Sequence, residues 1–233
     1  MRCGGADPIE ETIAVREALP SDADAVVGIC RSIDPDDYVP QAFSTWLAQP
    51  RAFTLVAEHA GRPVAVMHVR MVSPQDAWGM GVRVHRAFQR RGFGRALTRY
   101  WPAEAQRRFG AQRALAATHV DNEASQRMFL SCGFRAVAFP VRYRWERGLP
   151  LPAAAGPQPH RAGCPQDLWR RWSASVYATA HGGILRGHDG HHSLVATPQE
   201  AARYVREGRA LVVGAGAFCL WSERVDVAGR SRG

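Results

Sequence analysis

Val82-Arg-Val-His-Arg-Ala-Phe-Gln-Arg-Arg-Gly-Phe-Gly-Arg-Ala-Leu97 carries the chain from a strand-like run through a glycine-punctuated turn into a helix. Gly92 and Gly94 let backbone N–H groups approach an anion closely, and a helix start adds a partial positive charge. Such a turn is a cradle for a pyrophosphate. Arg90, Arg91 and Arg95 set full charges beside it, as suits a ligand with several phosphate charges. Downstream, Phe93, Leu97 and Trp101, with Ala96, Tyr100 and Ala105, recur at helical spacing, so Gly92 to Phe109 reads as an amphipathic helix. Pro102 inside it predicts a kink or an early stop. Upstream, Trp78 to Val84 reads as the strand that feeds the turn.

A G-x-G turn in a Gly- and Arg-rich chain does not define a ligand alone. Twenty-eight residues after Gly94 stands Asn122-Glu-Ala-Ser-Gln-Arg-Met-Phe-Leu-Ser-Cys-Gly-Phe134. In order and spacing, Q-x-x-G-x-G opening one helix and N-x-x-S-x-x-x-F-x-x-x-G-F running along the next resemble the GNAT superfamily of acetyl-CoA-dependent N-acetyltransferases. The resemblance covers roughly Thr12 to Trp145. Asp37-Tyr-Val-Pro40 with Trp46 downstream looks like a branch that continues into a C-terminal extension and includes small-molecule and amino-acid acetylating enzymes.

The resemblance implies an α/β (mixed α+β) fold: a central mixed, mostly antiparallel sheet with splayed middle strands, flanked by helices. It implies acetyl-CoA as the acyl donor, with backbone amides from Gln89 through Arg95 (Gln89, Arg90, Arg91, Gly92, Phe93, Gly94, Arg95) around its pyrophosphate. Val82 and Val84 would pair with the pantetheine arm as an added strand would. The strands ending near Val84 and Thr118 would splay to admit that arm, with Asn122, Ser125 and Phe129 along the far side. The acceptor amine would attack the thioester directly, and a backbone N–H near Met80 to Val82 would stabilise the developing oxyanion.

Two positions depart from the family pattern. Its usual general acid, a Tyr four residues before the G-F glycine, is here Phe129, which keeps the packing and loses the hydroxyl. A carboxylate often found on the strand before the cradle falls at Met80, which cannot take a proton. Acid and base help is worth about 10²- to 10⁴-fold, so losing both slows a reaction driven by proximity without abolishing it. His119 and Tyr38 are the substitute candidates; they read equally as a solvated strand-end residue and a packed aromatic.

Outside this centre, Thr12 to Leu19 alternates as a strand does, and Pro20-Ser21-Asp22 opens a helix, with Ser21 and Asp24 in a capping arrangement. After the loop Ile33 to Pro40 a short helix is expected around Ala42 to Leu47. Phe53 to Glu58 and Pro63 to Val72 form a hairpin through Ala60-Gly61-Arg62. Arg113 to Thr118 reads as a strand, Glu123 to Ser131 as a helix stopped by Gly133, and Phe134 to Trp145 as one or two strands.

Leu149 to Pro159 holds four prolines in eleven residues, a linker. The expected organisation is therefore an acetyltransferase domain over 1–148, a Pro/Ala-rich linker over 149–160, a small C-terminal α/β extension over 161–225 and a tail over 226–233. The extension should hold a helix near Asp167 to Val176, with Trp169, Trp172 and Val176 inward. A helix capped by Thr197-Pro-Gln-Glu200 and strands near Ala210 to Val213 and Phe218 to Trp221 should follow. It is thin for an independent core and is expected to lean on the first domain.

The chain has 233 residues, 46% of them apolar and 22% charged, the composition of a globular protein. No apolar run reaches the ~18 residues of a membrane helix. Five scattered cysteines point to a reducing compartment without structural zinc, and the expected location is the cytoplasm. Every one of the thirty basic residues is Arg. Residues 81–145 carry 13 Arg against 3 acids, so the net charge of +9 is centred on the cradle, where a polyanion would dock.

No aromatic platform interleaves with these arginines, which disfavours a nucleic-acid binder. His181, His188, His191 and His192, with Asp189, match no metal-ligand spacing and read as a polar Gly-rich loop, so no metal is expected. Asp34, Asp36 and Asp37 read as a solvated loop that could draw in a cationic amine. The leading reading is acetyl transfer from acetyl-CoA to a primary amine of a small molecule. The alternative is an acyl-CoA-binding module with little or no turnover. Oligomeric state is left open, a homodimer included.

Overall fold

Ala60 and Gly61 both take positive φ, 49° and 74°, the backbone of a two-residue hairpin turn whose twist matches that of its strands. They join β2 (Ala52–His59) to β3 (Arg62–Met71), paired antiparallel from His59–Arg62 out to Ala52–Arg70. This hairpin lies inside a five-stranded sheet. In the computed structural model, the residues described are 13–137, 159–180, 183–186, 193–213, 217–220, 224–225 and 231–232. The chain divides into two compact units, residues 1–114 with 118–132, and residues 115–117 with 133–233.

In the first unit β1 (Ala14–Glu17) pairs antiparallel with β2, and β4 (Asp76–Val84) pairs antiparallel with β3. With β5 (Arg113–Ala116) the sheet order is β1-β2-β3-β4-β5. Between β1 and β2 come α1 (Ala23–Arg31) and α2 (Val39–Ala48); α3 (Phe93–Phe109) separates β4 from β5, and α4 (Glu123–Ser131) follows. The mixed, mostly antiparallel sheet with flanking helices is the architecture expected.

Strand alternation assigns the two faces. Val56 and Val66 point into a cluster with Val26, Ile29 and Cys30 of α1 and Val39, Phe43 and Trp46 of α2. The residues between them face α3: Phe53 stacks on Phe109 with centroids 6.2 Å apart. Leu97, Trp101 and Ala105 of α3 are fully buried. Burial of side chains the size of Leu97 is worth roughly 1.5–3 kcal/mol each, which makes α3 the clamp on this face.

That clamp explains why Pro102 does not bring the helix to an early stop. The chain stays helical to Phe109, held through Trp101 and Ala105, and ends at Gly110, whose φ of 70° is the left-handed cap that glycine adopts cheaply. Other boundaries differ for local reasons. A 3₁₀ turn, Pro20–Asp22, precedes α1, and the N-cap position is Asp22, not Ser21; the Asp22 carboxylate makes no cap bond to α1 but accepts from the Leu19 amide across the turn (2.8 Å) and from Arg16 (2.7 and 2.9 Å). The Arg16 bond holds the Asp22 carboxyl below the usual range, and Arg16 also reaches Glu58 on β2 (2.7 Å). Helix α2 starts at Val39 because Pro40 is tolerated in a first turn. Phe134 to Val137, expected as strand, is not in one, and 138–145 lies outside the described residues.

In the second unit, most of the expected linker also lies outside the described residues, but Pro159 opens β6 (Pro159–Arg161). That strand is the edge of a sheet ordered β10-β9-β6, where a proline costs no ladder bond. It pairs with β9 (Ala210–Val213), which pairs with β10 (Ala217–Leu220). Helix α5 (Pro165–Ser173) and α7 (Pro198–Arg206) supply Leu168, Ala201 and Tyr204 to a core with Ala162, Ala210 and Val212, so the unit has its own apolar cluster.

Thr197 caps α7, its hydroxyl accepting from the Glu200 amide at 3.2 Å. Trp172 is buried and Trp169 partly so, but Val176 is 85% exposed and belongs to a separate short helix, α6 (Val176–Ala180). Two small ladders complete the unit: β7 (Ile184–Arg186) with β8 (Ser193–Val195), and β11 (Arg224–Val225) with β12 (Ser231–Arg232), the latter inside the expected tail. The histidines weighed as metal ligands fall outside the described residues.

Gly79 lies against the Trp101 ring, where an added Cβ would stand 2.9 Å from Cε2 and Cζ2. Gly79→Ala should therefore destabilise the domain by about 1–3 kcal/mol through overpacking, read as a lower urea midpoint at unchanged m.

Candidate active site

One extra residue in β4 organises the site. Met80 pairs with His68 and Arg83 with Val66, so three steps on β4 oppose two on β3: a bulge at Gly81–Val82. Gly81 takes φ 66°, the left-handed region where glycine is unstrained. Because of the extra residue, Met80 and Arg83 point to the same face, that of α1 and α2. An added Cβ at Gly81 would stand 2.6 Å from Cη2 of Trp46, so the indole supports the bulge from below. Trp46 in turn stacks on His68, centroids 4.6 Å apart and planes within 10°.

Beyond the bulge the His85 amide donates to the Val64 carbonyl at 2.9 Å. That makes Ala65–Val84 the pair without mutual hydrogen bonds, and directs the backbone groups of Val84 away from β3. The Val84 carbonyl accepts from the Gln89 side chain (3.2 Å) and the Val82 carbonyl from Arg83 Nη1 (3.2 Å). Strand β5 begins level with the start of β4, where the amides of Gln112 and Arg113 donate to the Gln75 carbonyl (2.9 and 3.0 Å) and Arg113 pairs with buried Asp76. It spans four residues against nine in β4, so the end of β4 runs on past it.

At that open end the chain makes a 3₁₀ turn (Arg86–Phe88) and enters α3. Arg90 and Gly92 take φ of 65° and 93°, two left-handed residues that swing the backbone into the helix. Gly92 is the N-cap and offers no side-chain acceptor. The amides of Phe93, Gly94 and Arg95 are the helix's first three and have no partner within it; among the described residues no side chain caps them. The Gln89 amide differs from the expected set, since it donates to the Arg86 carbonyl at 3.4 Å. Gly94 is closely packed: an added Cβ would stand 3.2 Å from Met128 Sδ and 3.4 Å from a Val84 methyl.

Arg90, Arg91 and Arg95 are exposed, with Arg91 lying 5.4 Å over the Phe88 ring. Phe93 contributes backbone only; its ring is buried against Phe88 and His59. On α4 the Asn122 Oδ1 accepts from the Ser125 amide (3.1 Å), so this pair caps the helix, and Ser125 and Phe129 are half-buried. The arrangement suits a diphosphate: among the described residues the amides are uncapped, they open a 17-residue helix, and the three exposed arginines beside them have no acidic partner.

On the acceptor side the structure revises the sequence picture. Asp37 is not solvated: its side chain is 2% exposed and both its oxygens accept from Arg83. Tyr38 leans edge-on against Trp46 (6.2 Å) and under the Arg83 guanidinium (5.6 Å), and burial raises its pKa. His119 is 79% exposed, 3.2 Å from Asp121. Met80 packs against the α1–α2 cluster.

Arg83, Gly81 and His68 were missed. His68 is fully buried, its Nε2 donating to Gln49 Oε1 (2.9 Å) and its Nδ1 accepting from the Thr54 hydroxyl (3.0 Å). Burial pushes its pKa down to about 3, so the ring is neutral and enclosed, a support and not a base. Cys30 is likewise unreactive, its thiol pushed up to about 11 by burial. The signal for Gly81 was a glycine interrupting a strand-like run, which is the mark of a bulge.

Residues 21–134 match the acetyltransferase (GNAT) family. A solved structure from Agrobacterium tumefaciens str. C58, a presumed acetyltransferase, is 25% identical, with a TM-score of 0.50 over 57% of this chain and 100% of that one. An aminoglycoside acetyltransferase from an uncultured soil metagenomic sample, solved with trehalose, shares the fold at 14% identity and a TM-score of 0.50, covering 60% of this chain and 99% of that one. A comparison with curated proteins finds no match.

His68 gives a pH signature. Its folded pKa lies below its unfolded value near 6.5, so on acidification the unfolded state takes up the proton first. The resulting stability is complete above about pH 6.5 and is lost as pH falls toward 3, at roughly 1.4 kcal/mol per pH unit. Urea denaturation at pH 7, 6 and 5 should show this slope in the wild type and a shallower one, by about that amount, in His68→Gln.

Proposed function

With a GNAT acetyltransferase domain at residues 21–134 as the premise, we propose that the protein transfers an acetyl group from acetyl-CoA to a primary amine of a small molecule. The observation that carries this reading is the mouth of α3, where uncapped amides of Phe93 to Arg95 lie among Arg90, Arg91 and Arg95 at the open end of β4. Bound there, the donor supplies a thioester already activated toward amines. The backbone groups of Val82 and Val84 would take its pantetheine arm as a short added strand, leading the thioester toward the bulge at Gly81. A bulge turns an amide out of the ladder, the placement an oxyanion donor needs.

No proton acceptor lines the α1–α2 side of the bulge among the described residues. Met80 is apolar, His68 is enclosed and neutral, and Asp37 is paired with Arg83. The attacking amine must arrive deprotonated, and proximity supplies the rate. These same features favour one other reading, a domain that binds the acyl donor with little turnover.

A thiol-release assay with acetyl-CoA against amino acids, polyamines and aminoglycosides separates the two. Acetyl transfer predicts release with at least one amine, and the pH limb of kcat/KM should move with the pKa of the acceptor, not stay fixed as an enzyme base would make it. Arg90→Glu with Arg95→Glu should weaken CoA binding by about ten-fold or more in calorimetry, without lowering the melting temperature. Tight CoA binding without release across the panel would favour the binding module. Unchanged affinity in the arginine variant would remove the site.

A further inference from the structure

Directly after the bulge, Arg83 makes a set of contacts that stability alone does not explain. Its Nη1 donates to the carbonyl of Val82 (3.2 Å), a residue of the bulge itself. Its Nε and Nη2 donate to the two oxygens of Asp37, at 3.2 Å for Nη2. Asp37 Oδ1 also accepts from the Val39 amide at 3.0 Å, fixing the first turn of α2. The guanidinium lies over Tyr38, whose ring meets Trp46, and Trp46 supports Gly81 from beneath. The contacts close a ring: bulge, Arg83, Asp37, start of α2, Trp46, bulge.

Desolvating such a pair costs about as much as its attraction returns, and a buried ion pair is often no better than well-packed apolar side chains. Its use lies in geometry. A guanidinium presents a rigid fork of donors that can hold a carboxylate and a carbonyl in one plane, which an ammonium cannot.

Resting on the acetyl-transfer reading above, we propose that Arg83 is a positioning residue: held by Asp37, it fixes the Val82 peptide of the β4 bulge and ties the 33–38 loop to it, so that acceptor-side loop and thioester-side strand keep one register. Arg83 touches no reacting atom in this role. It acts through the bulge, and Asp37 acts through Arg83. The acidic loop thus keeps only Asp34 and Asp36 as exposed charges toward solvent.

The test uses the full chain in two assays. In the free protein, amide hydrogen exchange over 79–85 and over 33–40 should quicken together, by about ten-fold or more, in Asp37→Asn and in Arg83→Met, while α3 keeps its protection. Arg127→Gln, which breaks the exposed pair with Glu123 on α4, is the control and should change neither segment. In thiol release, Arg83→Met should lower kcat by about ten-fold or more through misplacement, with the KM for acetyl-CoA within about two-fold of wild type. Arg83→Lys, which keeps the charge and loses the fork, should recover only part of kcat.

The proposal is overturned if exchange over 79–85 is unchanged in Asp37→Asn, or if Arg83→Lys matches wild type in both assays. A fall in kcat that tracks a loss of folded protein, or a matching rise in the donor KM, would also overturn it by showing a merely structural role. Should the wild type release thiol with no amine, the acetyl-transfer reading fails separately, and exchange, which needs no turnover, still decides whether the clasp holds the bulge.

Discussion

Contact between the Trp46 indole and Gly81 is the constraint on which the site depends. A strand of nine residues cannot change which face its side chains address unless a residue is inserted, and an inserted residue survives only where its left-handed φ and its missing side chain are both accommodated. Glycine meets the first condition and the indole enforces the second, since an added Cβ would collide with it at 2.6 Å. The indole is held by its stack on His68, which is locked by Thr54 and Gln49. Four elements, α2, β2, β3 and β4, thereby agree on the location of one irregular peptide.

The two sides of that peptide carry opposite electrostatics. On the α3 side positive charge is left unneutralised: exposed arginines, a helix mouth and a backbone turned by two positive-φ residues concentrate attraction for an anion. On the α2 side, among the described residues, buried Asp37 is matched by Arg83 and the buried imidazole of His68 is kept neutral. Positive charge thus gathers at one end of β4, while the described side chains at the other end are apolar or paired.

Features set by neighbours in sequence were legible before the structure. The turn into α3 is legible because Gly92 and Gly94 interrupt an otherwise periodic run; the hairpin because Ala60-Gly61 divides two β-rich stretches; the cap of α7 because Thr197 stands three residues before Glu200. What escaped depends on distant partners. Asp37 looks like one of three loop acids until a strand 46 residues away brings Arg83 against it. His68 lies on a strand whose face is decided by a tryptophan on a helix before it. The capping error at Ser21 has the same origin: Arg16, six residues before Asp22, holds the acid at the N-cap position. Pro102 misled because local steric rules predict a break that two buried neighbours outweigh.

The exclusive use of arginine around the helix mouth has a chemical corollary under the proposed acetyl transfer. A guanidinium stays protonated and shares its charge over three nitrogens, so it does not attack a thioester, whereas a lysine ammonium needs only to shed a proton to do so. All thirty basic residues of this chain are arginines. The cations that would hold the donor are therefore chemically inert toward it, and no side-chain amine of the protein can intercept the group meant for the acceptor.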